Sequence, residues 1–202
     1  IVPQAELHYV PFAALLGASG DDAFLVERYR VSYAPSASVW LRLRERPPAT
    51  GTMVLALAPR VDALPASRAE VEAIGRIYGA RTEMLIGARA SERALRAAAP
   101  RASIVHFATY GVLNKDNPLF SFVELAPENG VGGRLEVHDV FGLRLNARLV
   151  VLSACQTALG AGALEDVPAG DDWVGLVQAF HSAGAANVIA GLWPVDDRAT
   201  AE

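Results

Sequence analysis

The chain holds one cysteine, Cys155, at the end of the run Leu149-Val150-Val151-Leu152-Ser153-Ala154-Cys155. Four consecutive aliphatic residues, two of them β-branched, are too few for a helix and too uniformly apolar for a half-exposed strand. They predict a buried strand of the parallel type. Ligand sites in open α/β sheets form at the carboxyl ends of such strands, so the thiol sits where chemistry is placed. Cysteine-peptidase chemistry needs that thiol, an imidazole to form the thiolate, and backbone N–H groups to stabilise the oxyanion. A second buried run, Ser103-Ile104-Val105-His106-Phe107-Ala108-Thr109-Tyr110-Gly111, also halts at a glycine. If the two strand ends are neighbours, the N–H groups of Cys155 and Gly111 form the candidate oxyanion pair. The imidazole is missing, because Tyr110 precedes Gly111.

The histidines do not obviously supply it. His106 lies four residues before Tyr110 in the same strand, about 13 Å away at the usual strand rise. Flanked by Val105 and Phe107, it reads as a buried structural histidine, hydrogen-bonded within the core. His8, His138 and His181 fall on other elements, and no Cys/His pair has the short spacing of a zinc site. Ser153 lacks a G-x-S-x-G elbow, and Gly160-Ala161-Gly162 is not followed by the Gly-Lys-Ser/Thr of a phosphate loop. No cofactor is called for. Asp166, Asp171 and Asp172 are candidates to line a pocket for a basic side chain, with a solvated acidic loop as the competing reading.

The totals fit one globular domain. The chain has 202 residues, 52% of them hydrophobic, and mean hydropathy +0.25, enough for a large core. A net charge of −4 and a pI near 5.6 argue against general nucleic-acid binding, which needs a basic face. The one basic cluster, Arg42, Arg44 and Arg46, runs into Pro47-Pro48 and reads as a solvated element end. A lone cysteine makes no internal disulfide, so a cytoplasmic location is expected. No stretch is apolar enough to span a membrane, and Ile1-Val2-Pro3-Gln4 does not resemble a signal peptide. The chain begins without Met and is expected to be a piece of something longer.

The elements that must position these residues alternate. Strands are predicted over Leu7–Val10, Phe24–Glu27, Tyr29–Tyr33, Thr52–Ala58, Arg81–Ile86, Ser103–Gly111, Phe120–Leu125, Leu149–Cys155 and Asn187–Gly191. Helices are predicted as a short one from Pro11, then Ala37–Arg44, Ala66–Tyr78, Glu92–Ala99, a short one over Val137–Phe141, and Trp173–Ser182, with Ser36 and Ser91 as caps. Gly130–Gly133 reads as a turn and Ala158–Asp172 as a long loop of the kind that is often functional. Another helix starts near Asp196. Alternation implies a single α/β domain over 1–202 with a mainly parallel sheet.

Six blocks in order then carry a family resemblance. They are Leu7-His8-Tyr9-Val10-Pro11-Phe12-Ala13-Ala14-Leu15, Tyr33-Ala34-Pro35-Ser36-Ala37-Ser38, Val105-His106-Phe107-Ala108-Thr109-Tyr110-Gly111, Leu152-Ser153-Ala154-Cys155-Gln156-Thr157, Gly170-Asp171-Asp172-Trp173-Val174-Gly175-Leu176, and Ala190-Gly191-Leu192-Trp193-Pro194-Val195-Asp196-Asp197. Together they resemble the CHAT domain family, caspase-like cysteine peptidases of the caspase and separase clan, often attached to tetratricopeptide repeats. The resemblance implies a caspase-like three-layer sandwich with helices on both faces of the sheet, and C-terminal elements beyond this chain. It implies Cys155 as nucleophile, a protein or peptide as substrate or partner, and tetratricopeptide repeats upstream. It also makes acidic residues such as Asp166 candidates for selecting a basic side chain before the cut. In active relatives the strand matching 103–111 ends in His-Gly, and Tyr110 takes that histidine's place. A phenol ordinarily ionises near pH 10 and is a poor general base at neutral pH. The expected function is therefore an inactive or impaired peptidase that binds protein segments. The alternative is an active endopeptidase that uses another base, such as His106, or is activated by a partner. A further alternative is an otherwise active enzyme trapped by a change from histidine to Tyr110.

Overall fold

The apolar runs form the centre of one sheet in the computed structural model, which describes residues 1–4, 7–8, 10–17, 22–112, 117–128, 132–155 and 171–191. Its strands are β1 (Met53–Ala58), β2 (Thr82–Ile86), β3 (Ala102–Val112), β4 (Phe122–Glu124), β5 (Arg134–Glu136), β6 (Leu149–Cys155) and β7 (Val188–Ala190). Five of them lie parallel in the order β2-β1-β3-β6-β7. β4 pairs antiparallel with the end of β3, and β5 pairs antiparallel with β4. The sheet is therefore mixed, and the expectation of a mainly parallel one is corrected by this extension. β3 runs past β1, whose register ends at Leu57↔Phe107, and past β6, whose last pair is Tyr110↔Cys155. β4 takes up the strand edge left at Gly111 and Val112.

Helices flank the sheet. They are α1 (Leu25–Arg28), α2 (Ala37–Glu45), α3 (Pro65–Tyr78), α4 (Glu92–Ala98), α5 (Val137–Phe141) and α6 (Asp171–Ala183). Alternation along the strands divides the core in two. Leu55 and Leu57 of β1, Val105 and Phe107 of β3, and Val150 and Leu152 of β6 meet Leu95, Val140, Leu176 and Phe180 from α4, α5 and α6. Ala56, Ala58 and Ala108 meet Val71 and Ile74 of α3. The small side chains on that second face let α3 lie close to the strands.

Local signals set most helix ends. Ser36 and Ser91 accept from the N–H groups of Val39 and Ala94, as expected of caps. Pro65 occupies the first turn of α3, and Gly79 ends the helix at φ +59°. The N-terminal stretch differs from expectation. Phe24–Glu27 is not a strand: the Glu27 carboxylate accepts the Phe24 N–H at 2.7 Å and closes the single turn of α1. Tyr29–Tyr33 has no strand pairing, Leu7 and His8 lie in a 3-10 turn, and the short helix after Pro11 is a 3-10 turn over Phe12–Ala14. Asp171 and Asp172 head α6 rather than ending a loop. The rest of that loop and the helix expected near Asp196 lie outside the described residues. Among the described residues no helix is long and apolar enough to cross a membrane.

Candidate functional site at the carboxyl edge

β3 and β6 are neighbours, and their register sets Tyr110 directly beside Cys155. The two strand ends are thus neighbours in the backbone. Gly111, the next residue, stands opposite Val123 of β4.

The Tyr110 side chain is half-buried, and its hydroxyl donates to the Ala63 carbonyl at 3.4 Å. This is a long contact for an O–H donor, whose usual distance is about 2.7–2.8 Å. Ala63 belongs to the turn between β1 and α3, where its own N–H donates to the Arg60 carbonyl at 3.0 Å. Arg60 in turn is ion-paired with Glu124 of β4, and the Thr109 hydroxyl donates to the Glu124 carbonyl at 2.9 Å. The turn after β1 is thus tied to β3 by a phenol and to β4 by an ion pair. A phenol that donates its proton to a carbonyl orients its oxygen as a donor.

His106 is the imidazole on the same strand, and it is occupied. Its Nε2 lies 2.7 Å from a Glu70 carboxylate oxygen of α3, with the two side chains only 11% and 12% exposed. Its register partner is Val151, four residues before Cys155. The expected buried, hydrogen-bonded histidine is what the structure holds. His138 is exposed beside Glu136 and Asp139.

His181 is buried on α6, with Nδ1 2.9 Å from the Ala185 carbonyl. Its own backbone carbonyl accepts from Arg46 at 2.6 Å, so Arg46, at the exposed basic end of α2 that the sequence suggested, also ties α2 to α6. Burial pushes the His181 imidazole below its ordinary range; the bond to Ala185 opposes this and the Arg46 charge adds to it. The folded state therefore holds His181 neutral where the unfolded chain takes up a proton. That contribution to stability is complete above the ordinary imidazole value of about 6.5 and is lost as pH falls through the lower, folded value. We expect the urea midpoint to fall on acidification across this window, and to fall less in His181→Gln. Equal slopes in the two proteins would contradict the assignment.

Other expected site residues stand as follows. Asp166 lies outside the described residues, and the Asp171 backbone opens α6. Among the described residues no three His, Cys, Asp or Glu side chains cluster to hold a metal ion. The partners around Tyr110 and His106, namely Ala63, Arg60, Glu124 and Glu70, were not singled out from the sequence. A backbone carbonyl carries no sequence signal, and Glu70 on a helix with a polar side looks like a solvated carboxylate. The Ser153 hydroxyl, between the His106 and Cys155 levels of the sheet, is buried without a hydrogen-bond partner among the described residues.

Comparison with known proteins adds a family. The model of the CHAT domain matches residues 1–202. Among curated proteins, the chain is similar to Tetratricopeptide repeat protein 28 of Mus musculus and of Homo sapiens, 26% identical in each case over 247 aligned positions that cover 96% of this chain. The chain spans 10% of the length of those relatives.

Proposed function

The chain belongs to the CHAT domain family, consistent with the architecture of the caspase and separase clan, and on that premise we propose that it is a disarmed cysteine peptidase whose carboxyl edge binds protein segments. Cys155 stands in the place of the nucleophile and Tyr110 in that of the histidine. The N–H groups of Gly111 and Cys155 are the proposed oxyanion donors, and Asp166 and Asp171 the proposed lining of a pocket for a basic side chain. The observation that carries this reading is the register pair Tyr110↔Cys155, with the phenol turned toward the Ala63 carbonyl. The position that needs a base holds a donor. His106, the single imidazole on β3, is engaged by Glu70 and stands four residues away from Tyr110.

The fold we propose is the caspase-like three-layer sandwich, with the five parallel strands as its central layer and the β4–β5 pair as an addition to it. The name of the similar mouse and human proteins favours tetratricopeptide repeats elsewhere in the same polypeptide. We place the domain in the cytoplasm, where a single unpaired thiol stays reduced.

The test is Tyr110→His. A positioned general base contributes roughly 10²–10⁴-fold to such reactions. Against a mixed library of peptide substrates, the parent is expected to be inactive and the variant to cleave, with cleavage abolished by adding Cys155→Ser. Cleavage by the parent at the rate of the variant contradicts the proposal. An inactive variant with an intact fold shows that the cleft has lost more than its base.

A further inference from the structure

The backbone groups at the carboxyl edge have fixed partners. In a parallel pair, alternate residues turn their N–H and C=O groups to the same neighbour. A residue that does so donates to the carbonyl before its register partner and accepts from the N–H after it. Val150 of β6 follows this pattern: it is in register with Val188, and its N–H donates to the Asn187 carbonyl at 2.9 Å. Val150 therefore faces β7. By alternation Val151, Ser153 and Cys155 face β3, and the β3–β6 register runs unbroken from Ile104↔Leu149 to Tyr110↔Cys155.

β4 fixes the same orientation independently. The Ser121 carbonyl accepts from the Val137 N–H at 2.9 Å, and the Leu125 N–H donates to the Gly133 carbonyl at 2.7 Å. Ser121 and Leu125 thus turn their groups toward the β5 side, and so does Val123 between them, in register with Leu135. Val123 is also the antiparallel register partner of Gly111. A residue whose antiparallel partner faces away belongs to a non-hydrogen-bonded pair. The Gly111 N–H therefore points away from β4, as the alternation on β6 requires.

We infer that the Cys155 N–H donates to the Thr109 carbonyl and the Gly111 N–H to the Cys155 carbonyl, so that both proposed oxyanion donors are closed into the last rungs of the β3–β6 ladder. This rests on the reading of Gly111 and Cys155 as the oxyanion pair. The resting site is latched: a peptide carbonyl finds no free donor there until the end of β6 parts from β3. Strand ends open locally more readily than strand centres, and a partner that holds the two ends apart exposes the donors. The latch is separate from the missing imidazole. Tyr110→His supplies a base and leaves the rungs as they are, and cleavage by that variant proceeds through the opened fraction.

The test is amide hydrogen exchange in the isotope-labelled parent protein, read by NMR, together with the scalar coupling across the hydrogen bond from the Gly111 nitrogen to its acceptor carbon. The Gly111 and Cys155 amides are expected to exchange at least about tenfold more slowly than in an unstructured chain. They are expected to exchange at least about tenfold faster than the amide of Phe107, which faces β6 from the centre of β3. The coupling is expected to the Cys155 carbonyl. Exchange at the unstructured rate, or a coupling from Gly111 to another carbonyl, overturns the closure of the donors. Exchange as slow as that of Phe107 overturns the latch, because the rungs then open only with the sheet. These readouts need no cleavage, so an inactive Tyr110→His variant counts against the disarmed-peptidase reading, while unprotected donors count against the latch.

Discussion

Phe107→Ala is expected to lower the unfolding free energy by about 3–5 kcal/mol, the range for truncating a fully buried aromatic side chain. Phe107 is 0% exposed at the centre of β3, and its ring lies 5.7 Å from that of Phe180 on α6. It sits between β1 and β6, opposite Leu57 and Leu152, which belong to the same buried cluster. Urea unfolding at neutral pH measures the loss. Phe107→Leu keeps most of the volume and is expected to cost markedly less. A loss below about 1 kcal/mol for the alanine variant would mean that the larger core is not packed around this ring.

Glu70→Ala is expected to cost about 1–3 kcal/mol, although it removes a charged residue from a helix. The cost comes from what remains. His106 is buried against a face otherwise made of Ala56, Ala58, Val71 and Ala108, and without Glu70 its Nε2 has lost its partner. Glu70→Gln retains a side-chain partner and is expected to recover much of the loss. A double-mutant cycle with His106→Ala isolates the pair, with an expected coupling of about 0.5–3 kcal/mol. Additive effects of the two substitutions would show that the side chains do not act together.

These two side chains also mark what could be read from the sequence. Phe107 lies in one of the continuous apolar runs that buried strands require, and the runs around Met53–Ala58, Ala102–Val112 and Leu149–Cys155 are strands of the sheet. The runs at the N-terminus misled because apolar character there does not report burial: Val26 is 58% and Tyr29 64% exposed. β5 left no signal, since it is three residues long with only Leu135 buried. The meeting of Tyr110 and Cys155 rested on two strands ending at the same edge, which apolar runs suggest and register establishes. The pairing of His106 with Glu70 joins residues 36 positions apart, and no local pattern encodes it.

The most direct test of a disarmed dyad is the rate of Cys155 alkylation by iodoacetamide as a function of pH, in the parent and in Tyr110→His. The predicted parent titrates at or above the free-cysteine value of about 8.5, and only the histidine variant shifts downward. A parent thiol that reacts fast with a midpoint well below that value would show that another group activates Cys155, and would contradict the account.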